Sequence, residues 1–347
     1  RRRREPGAAR GRAMNNADYV RTLRPSLPAE AFRPNPWAYV PITMHLAIVG
    51  GGWIASRHVD GAWWPLLGLV IGNSMSALAF LAHDLTHRSI TTNRYLLYPT
   101  ELLLWGLILL PPSLWRRVHG THHANTNAEA DPERRFLAHE LTPTGLVAAA
   151  TLYPNRTLRY NVLCLFYWIT FPLRHAVALL FPGKRKPDFV TAKPRYSAAE
   201  KARIAFEFAI IVMMQIGIAK LTHGAYPWVA ILPVFITSAV VSCYFFTNHG
   251  LKPIDDGRDV AAGSTTVLVP AFCNLLHSNA SYHTEHHLFP TMNPKYYPLV
   301  SGLFRKHFPE HYHAIPIAQA WAGLWRNAIA AERRTRPRDG AAEAAAS

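Results

Sequence analysis

The amino-acid sequence predicts an all-α integral membrane protein with four transmembrane helices arranged in two hairpins. Of the 347 residues, 50% are hydrophobic and only 17% are charged, against roughly 25% charged residues in soluble domains. Four apolar stretches approach the roughly 20 residues that a helix needs to cross a bilayer. The same composition excludes a disordered chain, because disorder requires low hydrophobicity.

The four predicted spans are residues 37–56, 63–82, 204–221 and 227–247. The first, second and fourth contain no Asp, Glu, Lys or Arg, whereas the third has Glu207 near one end and Lys220 near the other. Charged side chains near a helix end can reach the membrane interface, so the third stretch is retained as a span. The alternative is a soluble protein with buried core helices, and uncharged stretches of about 20 residues disfavour it.

The distribution of basic residues predicts the orientation. Of 37 Lys and Arg residues, only Arg57 and Lys220 lie at the two short connectors within the hairpins, which leaves 35 elsewhere. Since positive charge accumulates in cytoplasmic loops, we expect both connectors to face away from the cytoplasm and most of the chain to lie inside. In a bacterium this would be the cytoplasmic membrane. The net charge of +16 would then hold this bulk against anionic lipid headgroups. We expect no nucleic-acid binding, because the charges are spread along loops without a recognition motif.

Two further apolar runs, residues 96–110 and 160–182, are interpreted as interfacial or re-entrant helices. Neither is long enough to cross a bilayer twice, and a single crossing would separate the histidine clusters described below. The predicted organisation is a basic cytoplasmic N-terminal tail (1–36), one membrane domain (37–320) and a flexible C-terminal tail (321–347). Residues 1–13 precede the first methionine, Met14, and are set aside as a candidate non-native segment.

Histidine is the unusual component, with 18 in the chain. Three clusters follow one another near predicted span ends: HDLTH (His83, His87), HGTHH (His119, His122, His123) and HTEHH (His283, His286, His287). Residues three and four apart share a helix face, so each cluster would project its imidazoles in one direction. Neutral imidazole is the commonest protein metal ligand. A single such pair is often incidental, but three clusters on one predicted side of the membrane indicate a metal site.

The number of histidines predicts two metal ions. A ninth histidine, His249, follows the fourth span beside Asn248, and nine ligands exceed the four that a structural zinc takes. We therefore expect two ions with four or five nitrogens each. Redox-active iron fits better than zinc, which has no redox chemistry. The three cysteines lie in or beside apolar runs and exclude a thiolate site or a disulfide scaffold.

The clusters resemble the histidine boxes of the membrane fatty acid desaturase family. The resemblance rests on HDLTH at 83–87, on HTEHHLFP at 283–290, and on HGTHH at 119–123 with the following Asn125, Thr126, Asn127, Asp131 and Pro132. It covers residues 35 to 320, and it implies two non-haem iron ions on the cytoplasmic face, with dioxygen as co-substrate. The implied ligands are the eight box histidines, with a ninth from His249 or, through water, from Asn248; we favour His249.

Carboxylates in or just after the boxes are candidates to hydrogen-bond the ligating imidazoles, as such outer groups usually do. They are Asp84, Asp131, Glu133 and Glu285. For Asp84 and Glu285, an exposed helix face or an arginine partner such as Arg88 is an equally good interpretation. Glu101, inside a short apolar run, either faces the site or reaches the interface, because a lone acid at membrane depth is costly.

The resemblance implies an enzyme that desaturates the alkyl chain of a fatty acyl lipid or thioester. It requires two electrons from an external ferredoxin-type or cytochrome-type donor, since the chain shows no dinucleotide fingerprint, CxxC pair or haem motif. A hydroxylase or ketolase of an alkyl, acyl or carotenoid substrate is the alternative, because box spacing does not separate these reactions. DPE at 131–133 and HHLFP at 286–290 favour the desaturase. A metal transporter or sensor is disfavoured, because the clusters lie outside the predicted spans.

Overall fold

The computed structural model describes residues 14–128, 130–133, 168–169, 171–172, 196–253, 256–324 and 326. Its first five α-helices are α1 (Asn16–Leu23), α2 (Tyr39–Ala55), α3 (Trp64–Thr86), α4 (Arg94–Leu107) and α5 (Pro112–Ala124). The later ones are α6 (Ala198–Thr222), α7 (Leu232–His249), α8 (Val260–Gly263), α9 (Ala271–Leu276), α10 (His283–Leu288) and α11 (Tyr297–His307). Two short strands, β1 (Thr266–Leu268) and β2 (Ala314–Pro316), are also described, together with short 3-10 segments and a π-helical turn at Pro227–Ile231.

Four helical segments of the described chain are long and apolar enough to cross a membrane, which confirms the predicted fold class. They are Pro36–Ala55, Gly61–Thr86, Ala198–Ala225 and Pro227–His249, each overlapping a predicted span. In the second and fourth, 67% and 56% of an apolar 18-residue window is buried within the protein. In the first and third, the buried share is 17% and 22%. Helices α3 and α7 therefore form an inner pair, and α2 and α6 present apolar outer surfaces suited to lipid.

Glycines allow the inner pair to approach closely. A Cβ atom at Gly68 of α3 would lie 2.2 Å from the carbonyl oxygen of Trp228, which precedes α7. One at Gly72 would lie 2.8 Å from the side chain of Ile236. Small residues at such positions let helix backbones come together in membranes, where packing rather than hydrophobic exclusion drives association.

Helices α4 and α5 form a bent pair with an angle of 91° between them. Helix α4 occupies most of the predicted interfacial or re-entrant run 96–110, and α5 begins with proline at its first position. Proline suits that position because its fixed backbone angle is already helical and its missing N–H is not needed there. The bend directs α5, which carries the second histidine box, towards the end of α3. Most of the second predicted interfacial run, 160–182, lies outside the described residues.

The acidic residues of the apolar helices are buried rather than extended to the interface. Glu207 of α6 accepts hydrogen bonds from the backbone N–H (2.9 Å) and hydroxyl (2.6 Å) of Ser113 and from the hydroxyl of Tyr98 (3.1 Å). Glu101 of α4 is fully buried and forms an ion pair with Arg116 of α5. Both carboxylates therefore hold α5 in place. For Glu207 this differs from the expected interfacial position, and Glu101, expected either at the metal site or at the interface, pairs with Arg116 instead.

The N-terminal segment differs from the predicted tail, because residues 16–32 pack into the fold. Tyr19 and Leu23 are fully buried, and the Tyr19 ring contacts Phe304 of α11 at 4.9 Å between centroids. The backbone N–H of Asn293 also donates to the carbonyl of Ala31. The helical spacing of a few apolar residues is hard to recognise in so basic a stretch. Residues 1–13 lie outside the described chain.

The other end of the fold also extends further than predicted. Residues 317–324 are helical and Leu324 is fully buried, so the folded part passes the expected boundary at 320. Strands β1 and β2 pair in parallel, with Thr266 opposite Ala314. Strands of three residues are too short to leave a recognisable alternation of polar and apolar residues, and the prediction of an all-α chain did not include them.

Candidate metal centre

All nine predicted histidines come together in two groups at the ends of α3, α5, α7 and α10. The first group is His83, His87, His119, His123 and His286, and the second is His122, His249, His283 and His287. Within each group, one ring nitrogen from every histidine lies within 4.8 Å of the others. Both groups consist of imidazoles alone.

The HxxHH pattern divides its histidines between the two groups. Neighbouring residues on an α-helix are rotated by about 100°, whereas residues four apart nearly coincide. On α5, His119 and His123 therefore point into the first group, while His122 points into the second. Helix α10 reverses this arrangement, since His283 and His287 belong to the second group and His286 to the first.

The ring nitrogens within each group are separated as ligands of one ion would be. The Nε2 atom of His119 lies 3.1 Å from Nε2 of His83 and 3.1 Å from Nε2 of His123. In the second group, Nε2 of His283 and Nε2 of His287 are 3.0 Å apart. Such separations are expected for nitrogens that each lie about 2.1 Å from a shared metal ion.

Hydrogen bonds at the outer ring nitrogens turn the lone pairs inward. Nδ1 of His119 lies 3.2 Å from the carboxylate of Glu133, and Nδ1 of His122 lies 2.8 Å from that of Asp131. A neutral imidazole has one N–H, and each carboxylate accepts it. In the neutral imidazole, the Nε2 lone pair then points into the group. Although burial opposes the shift, Asp131 and Glu133 raise the pKa of His122 to about 9, so a bound metal ion would replace a proton on this ring. The donor set therefore fits a metal ion in each group.

His249 and His287 are oriented in the same way by uncharged acceptors. Nδ1 of His249 lies 3.2 Å from the carbonyl oxygen of Gly263. Nδ1 of His287 lies 3.1 Å from the hydroxyl of Thr126, whose own proton is donated to the carbonyl of His122 at 3.1 Å. Both Nδ1 atoms must donate their hydrogen. Both Nε2 atoms therefore carry a lone pair that is directed into the second group. Neither Gly263 nor Thr126 could be recognised from the sequence as a hydrogen-bond partner of these histidines.

The four predicted carboxylates have different roles in the structure. Asp131 contacts His122 and also accepts the backbone N–H of Asn127 at 2.9 Å. Asp84 lies 3.6 Å from Nδ1 of His83 and accepts the Ser278 hydroxyl at 2.6 Å. Arg88, the partner considered from the sequence, does not provide these contacts.

Glu285 is fully buried, so the exposed helix face considered for it is not observed. Its carboxylate accepts hydrogen bonds from the hydroxyls of Thr266, at 2.5 Å, and Tyr312. These contacts connect α10 to β1 rather than orient an imidazole. Tyr297, which no pattern in the sequence marks, instead contacts His286 through its hydroxyl, 3.1 Å from Nδ1.

Asn248 and His249 point in different directions although they are neighbours. His249 belongs to the second imidazole group, with its Nε2 atom 2.7 Å from that of His283. The Asn248 side chain instead lines an adjacent cavity, and its carbonyl oxygen is buried without a hydrogen-bond partner among the described residues. The geometry thus favours His249 as the direct ligand and leaves the Asn248 amide beside it.

Burial keeps the third histidine box in the state that binds metal. It lowers the pKa values of His283, His286 and His287 well below the ordinary histidine value, and the charges of neighbouring histidines add to the effect. Only deprotonated imidazole nitrogens bind metal.

Burial also raises the pKa of Glu133 to about 8, although His122 opposes the shift. A nearby cation would therefore favour the ionised form of Glu133 at neutral pH.

A narrow apolar cavity of about 80 Å³ begins at the metal centre and runs between α3 and α7. His83, His119, His122, His283 and His286 form its end at the metal centre. Its apolar wall includes Phe80, Trp105, Trp115, Trp168, Val241 and Phe245. Within this wall, the Tyr244 hydroxyl lies 2.8 Å from Nδ1 of His277. His277 therefore lines the cavity and contacts Tyr244 rather than a histidine of either group.

The family model described as fatty acid desaturase matches residues 61–317, which include every histidine of the two groups. The chain belongs to the fatty acid desaturase family. Its match to a temperature-sensitive sn-2 acyl-lipid omega-3 desaturase (ferredoxin) of the chloroplast of Arabidopsis thaliana is 27% identical over 292 residues, or 79% of this chain and 64% of the relative.

Two cyanobacterial relatives are covered more fully by this desaturase-family chain. Both are named sn-1 acyl-lipid omega-3 desaturase (ferredoxin). The protein from Synechocystis is 24% identical over 79% of this chain and 76% of its own length, and that from Nostoc is 23% identical over 88% and 86%. The chain spans 64% and 61% of the lengths of two plant relatives, from Arabidopsis thaliana and Ricinus communis.

Proposed function

We propose that this protein is a membrane-bound di-iron desaturase that introduces a double bond into the acyl chain of a membrane lipid. The observation that carries the proposal is the convergence of two sets of imidazole lone pairs at the end of an apolar cavity. The names of the relatives, which are acyl-lipid desaturases, agree with a lipid substrate.

The reaction balances with one dioxygen, two external electrons and two protons. The acyl chain loses two hydrogen atoms from adjacent carbons, and the four electrons from substrate and donor reduce dioxygen to two waters. Iron ions, when bound, supply the activation of dioxygen. Imidazole ligands suit iron as well as zinc, but only iron has the redox chemistry that this balance requires.

The protein's own residues hold the ions and place the substrate. The nine histidines are the proposed ligands, with Asp131, Glu133 and Thr126 holding three of them in the orientation that binds metal. The apolar wall of the cavity excludes water and holds an alkyl chain beside His83 and His283. Asn248, with its unpaired oxygen, is placed to hold a water at the same end of the cavity.

We assign the electron donor to the ferredoxin type, because the names of several relatives specify ferredoxin. A cytochrome-type donor is the alternative, and supplying each donor in turn distinguishes the two. We place the metal centre on the cytoplasmic side, because basic residues are scarce at the opposite hairpin connectors and positive charge accumulates in cytoplasmic loops.

The test is reconstitution of the purified protein in vesicles of defined acyl lipids with reduced ferredoxin and dioxygen. We expect two iron ions per chain and a lipid product lighter by two hydrogens in mass spectrometry. His123→Ala should lose iron and product, whereas His58→Ala, at an exposed position far from the centre, should retain both. A product heavier by one oxygen would indicate the hydroxylase alternative. Fewer than two metal sites would contradict the di-iron proposal.

A further inference from the structure

A second cavity, of about 750 Å³, lies between the N-terminal end of α2 and helix α9. Trp37, Pro41 and Met44 line it from the first apolar helix, and Ala271 and Leu275 line it from the other side. Positions 37, 41 and 44 are three and four apart and therefore share one helix face. The cavity is thus built between two defined surfaces and is separate from the apolar cavity at the metal centre.

The mouth of this cavity lies at the level of the membrane interface. The first membrane-capable helix begins at Pro36, and Trp37 is 78% exposed at its start. Met44 on α2 and Leu275 on α9 are 50% and 84% exposed. Exposed tryptophan at a span end is typical of the headgroup region. An opening flanked by exposed apolar side chains faces lipid more favourably than water.

Inside the mouth, the mainly apolar lining also carries polar groups. Asn274 and Asn293 use their amide oxygens to accept internal hydrogen bonds, from the Ser281 hydroxyl and the backbone N–H of Lys295. Their NH₂ groups remain as hydrogen-bond donors in this lining. Lys295 is the only lysine or arginine among the described residues of the lining. Amide donors suit ester carbonyl oxygens, and a single ammonium suits one phosphate.

Among the described residues, two side chains line both this cavity and the one at the metal centre. Asp84 and Ser278 line both cavities, and the Ser278 hydroxyl donates to the Asp84 carboxylate at 2.6 Å. Asp84 directly follows His83, a member of the first imidazole group. An alkyl chain that passed this pair would arrive beside the ring of His83.

We propose that the second cavity, here called the interfacial cavity, binds the glycerol-ester end of a membrane glycerolipid. The acyl chain of the same lipid then reaches the metal centre past Asp84 and Ser278. A water-soluble thioester carrier is a poorer occupant, because its several phosphates would meet a single lysine and an apolar mouth. The passage of the chain rests on the proposed function, whereas the binding of the lipid does not.

The test is photo-crosslinking of the full-length protein in phosphatidylcholine vesicles that contain a glycerolipid with a diazirine near its glycerol. We expect crosslinks in peptides that cover residues 35–45 and 271–279. Met44→Trp, which narrows the mouth, should reduce them by about fivefold, the factor that corresponds to a loss of about 1 kcal/mol in lipid binding. Ala271→Phe on the opposite wall should act in the same direction. The matched control is Val40→Trp, exposed on the same helix but outside the lining.

Crosslinks spread evenly over the outer faces of the four apolar helices would overturn the proposal. Equal labelling in Met44→Trp and Val40→Trp would do the same, as would preferential labelling by a photoreactive acyl-coenzyme A. The mass-spectrometric product assay separates the two proposals. Specific labelling without double-bond formation contradicts the desaturase function alone, and double-bond formation without specific labelling contradicts the lipid site alone.

Discussion

His122 and His123 are neighbours in the chain, yet their imidazoles belong to different groups. The rotation of about 100° between successive helical residues separates them, while His119 and His123, four apart, remain together. The spacing therefore identified the ligand candidates from the sequence. It did not assign them to groups, because that assignment depends on how α5 and α10 are rotated relative to each other.

The different directions of Asn248 and His249 lead to a prediction on metal content. His249→Ala should lower the iron content from two ions per chain towards one, because it removes one of four nitrogens of the second group. Asn248→Ala should retain two, because its side chain lies along the cavity. Elemental analysis of both purified variants checks this. Loss of iron in Asn248→Ala with full occupancy in His249→Ala would reverse the assignment.

Helix α5, which carries the second histidine box, is held by two buried carboxylates of neighbouring helices. Glu207 accepts the backbone N–H of Ser113 at the start of α5, where the partial positive charge of a helix start favours an anion. Glu101 pairs with Arg116 one turn further along. Glu207 was expected near the interface, and Glu101 either there or at the metal site, because the sequence does not reveal that a bent helix pair supplies their partners.

Removal of the Glu207 carboxylate should destabilise the protein without touching a ligand. Glu207→Ala leaves the partly buried donors of Ser113 and Tyr98 without this acceptor, which should lower the free energy of unfolding by about 1–3 kcal/mol. Glu207→Gln, which retains an acceptor, should have a smaller effect. Thermal unfolding in detergent micelles is the measurement, with the exposed Glu310→Ala as control. Equal midpoints for Glu207→Ala and the control would exclude the capping role.

Close packing of α3 against α7 gives a matched pair of glycine variants. Gly68→Ala would place a methyl group 2.2 Å from the backbone oxygen of Trp228, and overpacking of this kind costs about 1–3 kcal/mol. At Gly51 of α2 nothing lies within 4 Å of an added Cβ. Gly51→Ala should therefore leave stability unchanged or raise it by up to about 1 kcal/mol, since alanine favours helix. Similar unfolding midpoints for the two variants would contradict the packing described.

The molecule as a whole combines an apolar four-helix body with a histidine-bearing end. Helices α3 and α7 run through the interior and end at the imidazole groups, whereas α2 and α6 carry most of the exposed apolar surface. The hairpin connector at residues 57–61 lies at the opposite end from His83 and His249. The scarcity of basic residues at this connector underlies the proposed cytoplasmic position of the metal centre.

Side-specific labelling tests that orientation. In a background with Cys164, Cys243 and Cys273 replaced by alanine, a membrane-impermeant maleimide should label Asp60→Cys from outside intact cells. Glu310→Cys, beyond α11 on the side of the metal centre, should react only after permeabilisation. Labelling in the opposite order would place the metal centre on the outer face. Both positions are exposed, so a failure to react reports sidedness rather than burial.

Much of the fold and the clustering of the histidines could be predicted, since both depend on local patterns. Uncharged runs marked the apolar helices to within a few residues, and spacings of three and four marked the imidazole clusters. The buried α1 helix, the β1–β2 pair and the partners Thr126, Tyr297 and Gly263 could not be predicted. Each depends on a contact between distant segments, and such contacts leave no periodic signal in the chain.

Hydropathy, charge distribution and helical spacing are properties of short stretches, so the chain alone specifies an apolar α-helical protein with clustered imidazoles. The division of the histidines into groups of five and four arises from packing α3, α5, α7 and α10 against one another. The same packing encloses the apolar cavity and leaves a pair of side chains, Asp84 and Ser278, between it and the interfacial cavity. Rotations and crossing angles between helices set these features, and no single segment encodes them.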